Sequence, residues 1–236
     1  MRRLCTIILF LGFMITSFSQ QTYVPINFNA LKKKLSKSDS EIQHPKKSLA
    51  SKTWVKRGEL LHDIYKVDID QVYDGMDPIS MKLFYKEPKS TETLLIDDIE
   101  TTVYEYERVK YFFQEDRFIW WEKTEEILED PLSEAYSSFI KALDLDSAGK
   151  GKLIPKIKDN FLALKSSYRQ SGLNEYYSGN KKKGLDQLHM VNKSNELDIV
   201  GNEIDTLMIQ YSGIIAREIG EYKIAVEQYK KLAEIN

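Results

Sequence analysis

One short pattern occurs twice in the last seventy residues and limits what this chain can become. From Gly172 the sequence reads G-L-N-E-Y-Y-S-G-N-K-K-K-G-L-D-Q-L-H-M-V, and from Gly213 it reads G-I-I-A-R-E-I-G-E-Y-K-I-A-V-E-Q-Y-K-K-L. In each copy a second glycine follows seven residues on (Gly179, Gly220). A small residue comes five beyond that (Gly184, Ala225), and a large apolar one four further (Leu188, Tyr229). An internal repeat changes how every other residue is read, so it comes first.

The pattern resembles the tetratricopeptide (TPR) repeat. That resemblance implies pairs of antiparallel helices, with small residues where they cross so that the backbones approach closely. A further match begins at Ser48, S-L-A-S-K-T-W-V-K-R-G-E-L-L, where Trp54, Gly58 and Leu61 have the family's first-helix spacing. The matching second helix comes only after Pro131, with Ala135, Phe139 and Ala142 in the corresponding places. The first-helix glycine and second-helix small residue stand twelve apart in the later copies, but Gly58 and Ala135 are 77 apart. The resemblance thus implies a first repeat (48–65 and 131–146) split by an insert (66–130), a second at 156–194 and a third at 202–236.

The insert has a different texture. A short helix is expected from Asp77 to Tyr85, before Pro88. Thr101 to Lys123 is dense in the β-branched and aromatic residues that suit a half-buried strand surface. Gln114-Glu-Asp-Arg117 interrupts it, so Val109–Phe113 and Phe118–Glu122 read as a hairpin, with a helix as the rival assignment. Trp120 and Trp121 would then face opposite sides, one in the insert's core and the other outward or against the helices. The order of these features is similar to the SmpA/OmlA-type lipoproteins of the outer-membrane barrel-assembly machinery, which implies one helix plus a three-stranded antiparallel sheet. Phe84-Tyr-Lys-Glu-Pro88 departs from that family in having no glycine before the proline and one extra residue. The expected fold class is therefore mainly α, a TPR-like helical-hairpin solenoid carrying a small α/β insert.

The chain opens on Arg2 and Arg3, then an apolar run from Leu4 to Thr16, then small residues at Ser17 and Ser19. This is the form of a secretory signal over residues 1–19; an uncleaved N-terminal anchor is the alternative. Cys5, the one cysteine, would leave with the signal, so the mature chain would have neither disulfides nor thiolate chemistry. Residues 20–47 are expected to give a short extended segment and a lysine-rich leading helix from Phe28 to Ile42. A cysteine-free exported helical repeat suits a Gram-negative envelope, either periplasmic or associated with the outer membrane.

Charge narrows the function. The net charge is −2, and loss of two arginines with the signal leaves 32 basic against 36 acidic residues. That excludes the basic surplus of a nucleic-acid binder. His44, His62 and His189 are isolated, without H-E-x-x-H or paired metal-ligand spacing, and no P-loop or G-x-S-x-G occurs. No cofactor, metal or catalytic residue is expected, and no membrane span in the mature chain.

What remains is the concave face implied by the TPR resemblance. Carried onto this sequence, the family's groove positions are Lys52, Val55, Glu59 and His62 in repeat one. Repeat two gives Ser166, Arg169, Leu173, Tyr176 and Tyr177, and repeat three gives Leu207, Gln210, Ile214 and Arg217. Of these, Lys52, Arg169, Tyr176, Tyr177, Gln210 and Arg217 are the expected partner contacts, because tyrosines and arginines are enriched at binding hot spots. Tyr176 and Tyr177 as packing residues is the competing reading. Glu175 stands where the family has an aromatic, which leaves the register of repeat two open by one residue. The expectation is a non-enzymatic scaffold that holds a protein or peptide. The alternatives are an outer-membrane assembly factor acting through the insert and, after it, an unrecognised enzyme. The last helix, from Tyr222, has no polar cap after it, so Val226 and Leu232 are expected to leave an apolar edge open to association.

Overall fold

Side-chain caps set where the helices begin. In the computed structural model, which describes residues 27–85, 87–201 and 204–235, Asn27 accepts from the Ala30 N–H and opens α1 (Phe28–Gln43). Asp77 accepts from the N–H groups of Ile79 and Ser80 ahead of α3 (Pro78–Phe84). Asp130 accepts from Ser133 ahead of α4 (Pro131–Ser147), and Asp205 from Met208 ahead of α7 (Thr206–Glu218). Each cap satisfies a first-turn donor that would otherwise have no partner, and proline at the first helical position costs no hydrogen bond. The other helices are α2 (Ser51–Lys66), α5 (Ile154–Tyr177), α6 (Lys181–Asn195) and α8 (Tyr222–Ile235). The expected leader, residues 1–19, lies outside the described residues. Among the described residues no helix is long and apolar enough to cross a membrane.

The helices pack in antiparallel pairs, α2 with α4, α5 with α6 and α7 with α8. The first pair forms across the intervening sheet: Gly58 of α2 lies flat against the Phe139 ring of α4, where a Cβ would come within 2.4 Å of a ring carbon. In the second pair, Gly172 and Gly184 bring α5 and α6 so close that a Cβ on Gly184 would lie 2.9 Å from the Gly172 carbonyl oxygen. The pairs are then stacked through α4 on α5 and α6 on α7. The two glycines of the repeated pattern do different jobs. Gly172 and Gly213 sit within helices at the crossings, while Gly179 and Gly220 take φ of 89° and 81° in the turns that follow. Those turns need the left-handed conformation that glycine adopts without steric penalty.

Between α3 and α4 lies one antiparallel sheet in the order β1-β2-β3-β4: Ser90–Ile96, Ile99–Glu105, Val109–Gln114 and Arg117–Lys123. Four strands replace the three expected. The missed strand, β1, has no buried residue, so it lacks the alternation that marks a strand in sequence. It is held instead by its backbone pairing to β2 from Ser90↔Glu105 to Ile96↔Ile99. The turn between them, Asp97-Asp98, has positive φ at both residues, 49° and 62°, and Glu115-Asp116 repeats this between β3 and β4. Two consecutive left-handed residues match the right-handed twist of the flanking strands, and aspartate tolerates that conformation.

Trp120 and Trp121 lie on opposite faces of β4, and the bulge at Phe112/Phe113 brings Phe118 onto the same face as Trp121 although they are three residues apart. Trp121 stacks on Phe118 and joins the main core, while Trp120 stacks on Phe112 at 4.5 Å in a small separate cluster with Val103. The main core is continuous: Tyr111, Phe113 and Trp121 of the sheet belong to the same packed cluster as Phe139, Phe161 and Leu188 of the helices. Arg57 of α2 ties three helices at one end, donating to Asp39 of α1 at 2.6 Å and to Glu134 of α4 at 2.9 Å. The fold is mainly helical with one four-stranded antiparallel sheet.

Candidate binding face

The helix α5 carries the middle of the face on which a partner was expected, and β4 of the chain's own sheet packs along that helix. Asn174 accepts from the Trp121 N–H at 2.8 Å and donates to the Trp121 carbonyl at 3.2 Å. One turn earlier, Gln170 donates to the Val72 carbonyl at 3.4 Å. The Lys123 ammonium donates to the Tyr65 carbonyl of α2 and lies over the Tyr65 ring; burial lowers its pKa. Asp68 anchors the other end, taking Arg108 at 2.7 Å on its carboxylate and the hydroxyls of Tyr85 and Tyr111 on its backbone carbonyl.

The repeat-one positions separate accordingly. Val55 is buried in the core, and His62 is buried with its Nε2 2.7 Å from Ser167 Oγ. Lys52 is exposed, and Glu59 pairs with Lys156 at 2.7 Å. The His62–Ser167 contact has the residue types of a base and a nucleophile, yet both residues are over nine-tenths buried. Burial pushes the His62 pKa down to about 4, so the imidazole is neutral and serves as a core hydrogen-bonding group.

Beyond the sheet, the end of α5 and the length of α7 stay open. Tyr177 is 43% exposed and its ring meets that of Tyr176 at 5.3 Å; Tyr211 of α7 lies 6.4 Å from Tyr176. The Tyr176 hydroxyl donates to Glu218 at 3.3 Å, and Lys181, itself paired to Glu218 at 2.9 Å, lies 5.8 Å from the Tyr176 ring. Burial, then the neighbouring Tyr211 hydroxyl, raises the Tyr177 pKa, so its phenol stays protonated and able to donate. Gln210 and Arg217 are exposed on α7, Leu207 is exposed at its start, and Ile214 is half-buried. Arg169 faces Asp205 at 3.9 Å, Ser166 is exposed and Leu173 packs against the core. The six expected contacts therefore do not form one patch: Lys52 stands on α2, away from the tyrosines.

Sequence reasoning missed Tyr211, which follows Gln210 directly and falls between two groove offsets. It also missed Tyr73 and Asp74 in the segment before α3; both are exposed, and the Asp74 charge acts on the Tyr177 hydroxyl. No local pattern places that segment beside α5.

A second feature is a cleft of about 320 Å³ where the end of β4 and the loop 124–130 meet α2, α5 and α6. Seven carboxylates line it, among them Asp68, Glu126, Asp130 and Glu175, against the amines of Lys123 and Lys183. Glu175 is matched by Lys183 at 2.7 Å, Asp68 by Arg108 and Glu125 by Lys32, so much of that charge is already neutralised within the fold. Among the described residues no group of three or more His, Cys, Asp or Glu could hold a metal ion. No family model, curated protein or solved structure matches this chain.

Proposed function

We propose that this chain is a non-enzymatic scaffold of the bacterial envelope that holds a protein or peptide partner against the open face of α5 and α7. The observation that carries this reading is the tyrosine cluster at the end of α5 and on α7, where Tyr177 is exposed and Tyr176 and Tyr211 are half-buried beside it, with the exposed Gln210 and Arg217 on α7. Aromatic rings give contact area at little conformational cost, and their hydroxyls still reach a peptide backbone with a hydrogen bond. Glycine-mediated helix pairs stacked in sequence support the TPR-like reading of the array, and in that reading the open face is its concave groove. With β4 held on α5 by Asn174, the proposed partner lies against the last pair and the exposed end of α5. Export follows from the signal-like leader and carries the proposed location in the periplasm or at the outer membrane.

A second reading places the action on the sheet. Its support is the β1–β2 hairpin, where Leu94, Leu95 and Ile99 are exposed together. Photo-crosslinking separates the two. A benzophenone amino acid replaces Tyr177, Leu95 or Lys52 in the full chain expressed in its host envelope. The proposal expects a discrete crosslinked band at 177, absent at 52, which disappears when Arg217→Glu and Tyr211→Ala are added. A band at 95 with none at 177 would overturn it in favour of the sheet.

A further inference from the structure

The last helix presents a second apolar surface, separate from the tyrosine face. On α8, Ala225 and Gln228 are buried toward α7, and the Tyr229 ring covers Gly213. The outer side carries Tyr222 (67% exposed), Val226 (52%), Tyr229 (36%) and the exposed Ala233, at spacings of four, three and four that make one stripe. Each earlier pair is covered by the next, α4 by α5 and α6 by α7. Among the described residues, α7 is the only element with an extensive contact to α8.

Charge says what fits there. Along one flank of the stripe run Lys223, Glu227, Lys230 and Glu234, all exposed, so the order of signs is plus, minus, plus, minus. Read in the opposite direction, the order is minus, plus, minus, plus. When two copies of one helix pack antiparallel about a two-fold axis, the same flank of each faces the other. Lys223 then meets Glu234 of the second copy and Glu227 meets its Lys230, with both pairs repeated by symmetry. Among the described residues, the local competitor is the exposed contact of Glu227 with Lys231 at 3.2 Å in its own helix, a type of pair that contributes little. We infer that α8 is a homotypic docking surface, pairing antiparallel with α8 of a second copy of this chain. A pair of four-turn helices buries a small area, so the dimer forms with a dissociation constant on the order of 10 µM rather than nanomolar.

Sedimentation equilibrium of the purified chain from roughly 1 to 200 µM tests this. The expected result is a mass that rises from monomer toward dimer, with association weakened at high salt. Val226→Arg, on an exposed position, raises the dissociation constant at least about tenfold while helicity and thermal midpoint hold. Two flank variants make the test specific: Lys223→Glu with Lys230→Glu gives an all-acidic flank, and Glu227→Lys with Glu234→Lys gives an all-basic one. Each alone is expected to be monomeric, and an equimolar mixture is expected to form a heterodimer. A wild-type chain that stays monomeric at the highest concentration overturns the inference, as does a dimer that Val226→Arg leaves intact. A mixture of the two flank variants that remains monomeric does so as well.

Discussion

The side-chain amide of Asn174 and the backbone of Trp121 form a matched pair, the amide taking the N–H at 2.8 Å and giving to the carbonyl at 3.2 Å. A helix side chain here does what a fifth strand would do. The neighbouring stretch of β4 is closed by backbone: Phe118 donates to the Met76 carbonyl at 2.8 Å and accepts from Gly75 at 3.4 Å. One edge of the sheet is thus satisfied by α5 and the loop before α3, leaving β1 as the free edge. Tyr111, Phe113 and Trp121 then enter the helical core, so helices and sheet stabilise each other as one unit.

Replacing Asn174 tests that coupling. Asn174→Leu keeps the branched shape and removes both bonds, leaving a buried N–H and a buried carbonyl without partners. Each orphaned group costs roughly 1–3 kcal/mol, so unfolding in urea is expected to lose about 2–6 kcal/mol with a single transition. Hydrogen exchange at the Trp121 amide should accelerate before that of α7. A loss below about 0.5 kcal/mol, or two separate transitions, would show that the sheet docks by side-chain packing alone.

The three crossings should respond differently to a methyl group. In Gly184→Ala the new Cβ meets backbone, the Gly172 oxygen at 2.9 Å and the Tyr176 nitrogen at 3.1 Å, and neither can move without separating the helices. In Gly58→Ala it meets the fully buried Phe139 ring at 2.4 Å. In Gly213→Ala it meets the Tyr229 ring at 2.9 Å, and that ring is at the surface and free to swing. Alanine also gains up to about 1 kcal/mol of helix propensity over glycine. Overpacking of about 1–3 kcal/mol wins at Gly184 and Gly58, whereas propensity offsets it at Gly213. Thermal unfolding is expected to show marked destabilisation for the first two and a change within about 0.5 kcal/mol for the third. Equal losses at all three would mean the ring of Tyr229 is fixed.

These glycines were also the clearest signal in the sequence, because a helix crossing this close admits one residue type and leaves it at fixed spacing. Gly58 and Ala135 stand far apart along the chain, yet the same spacing logic picks out the two helices that pack together. The β3–β4 hairpin was legible for a related reason, since one face of Val109–Phe113 is buried and demands apolar residues. β1 was hidden because backbone pairing chiefly holds it and none of its side chains is buried. The docking of the sheet on α5 was hidden too. Asn174 is polar and reads as a surface residue, and its burial depends on a strand more than fifty residues away. Tyr229 shows the limit on α8: its spacing matches the core position of Leu188, yet it sits half outside with Val226.

His62 gives the fold a pH dependence whose sign is fixed by its burial. Desolvation lowers its pKa from 6.5 to about 4, with the nearby Lys66 charge acting the same way and Asp70 opposing it. The unfolded chain therefore binds a proton that the folded chain refuses. The stability this neutral histidine contributes is fully present above about pH 6.5 and is lost as pH falls toward 4. Over that window the shift corresponds to at most about 3 kcal/mol. Glutamine at this position keeps a polar contact to Ser167 but cannot be protonated. His62→Gln is thus expected to start less stable at pH 7.5 and to lose less on acidification. Carboxylates that titrate in the same range act on both proteins, so the difference between the two urea midpoint curves isolates the histidine. That difference should shrink by roughly 2–3 kcal/mol from pH 7 to 4. A constant difference across the range would mean that His62 takes up its proton in the folded chain as easily as in the unfolded one, and that the contact with Ser167 opens to water.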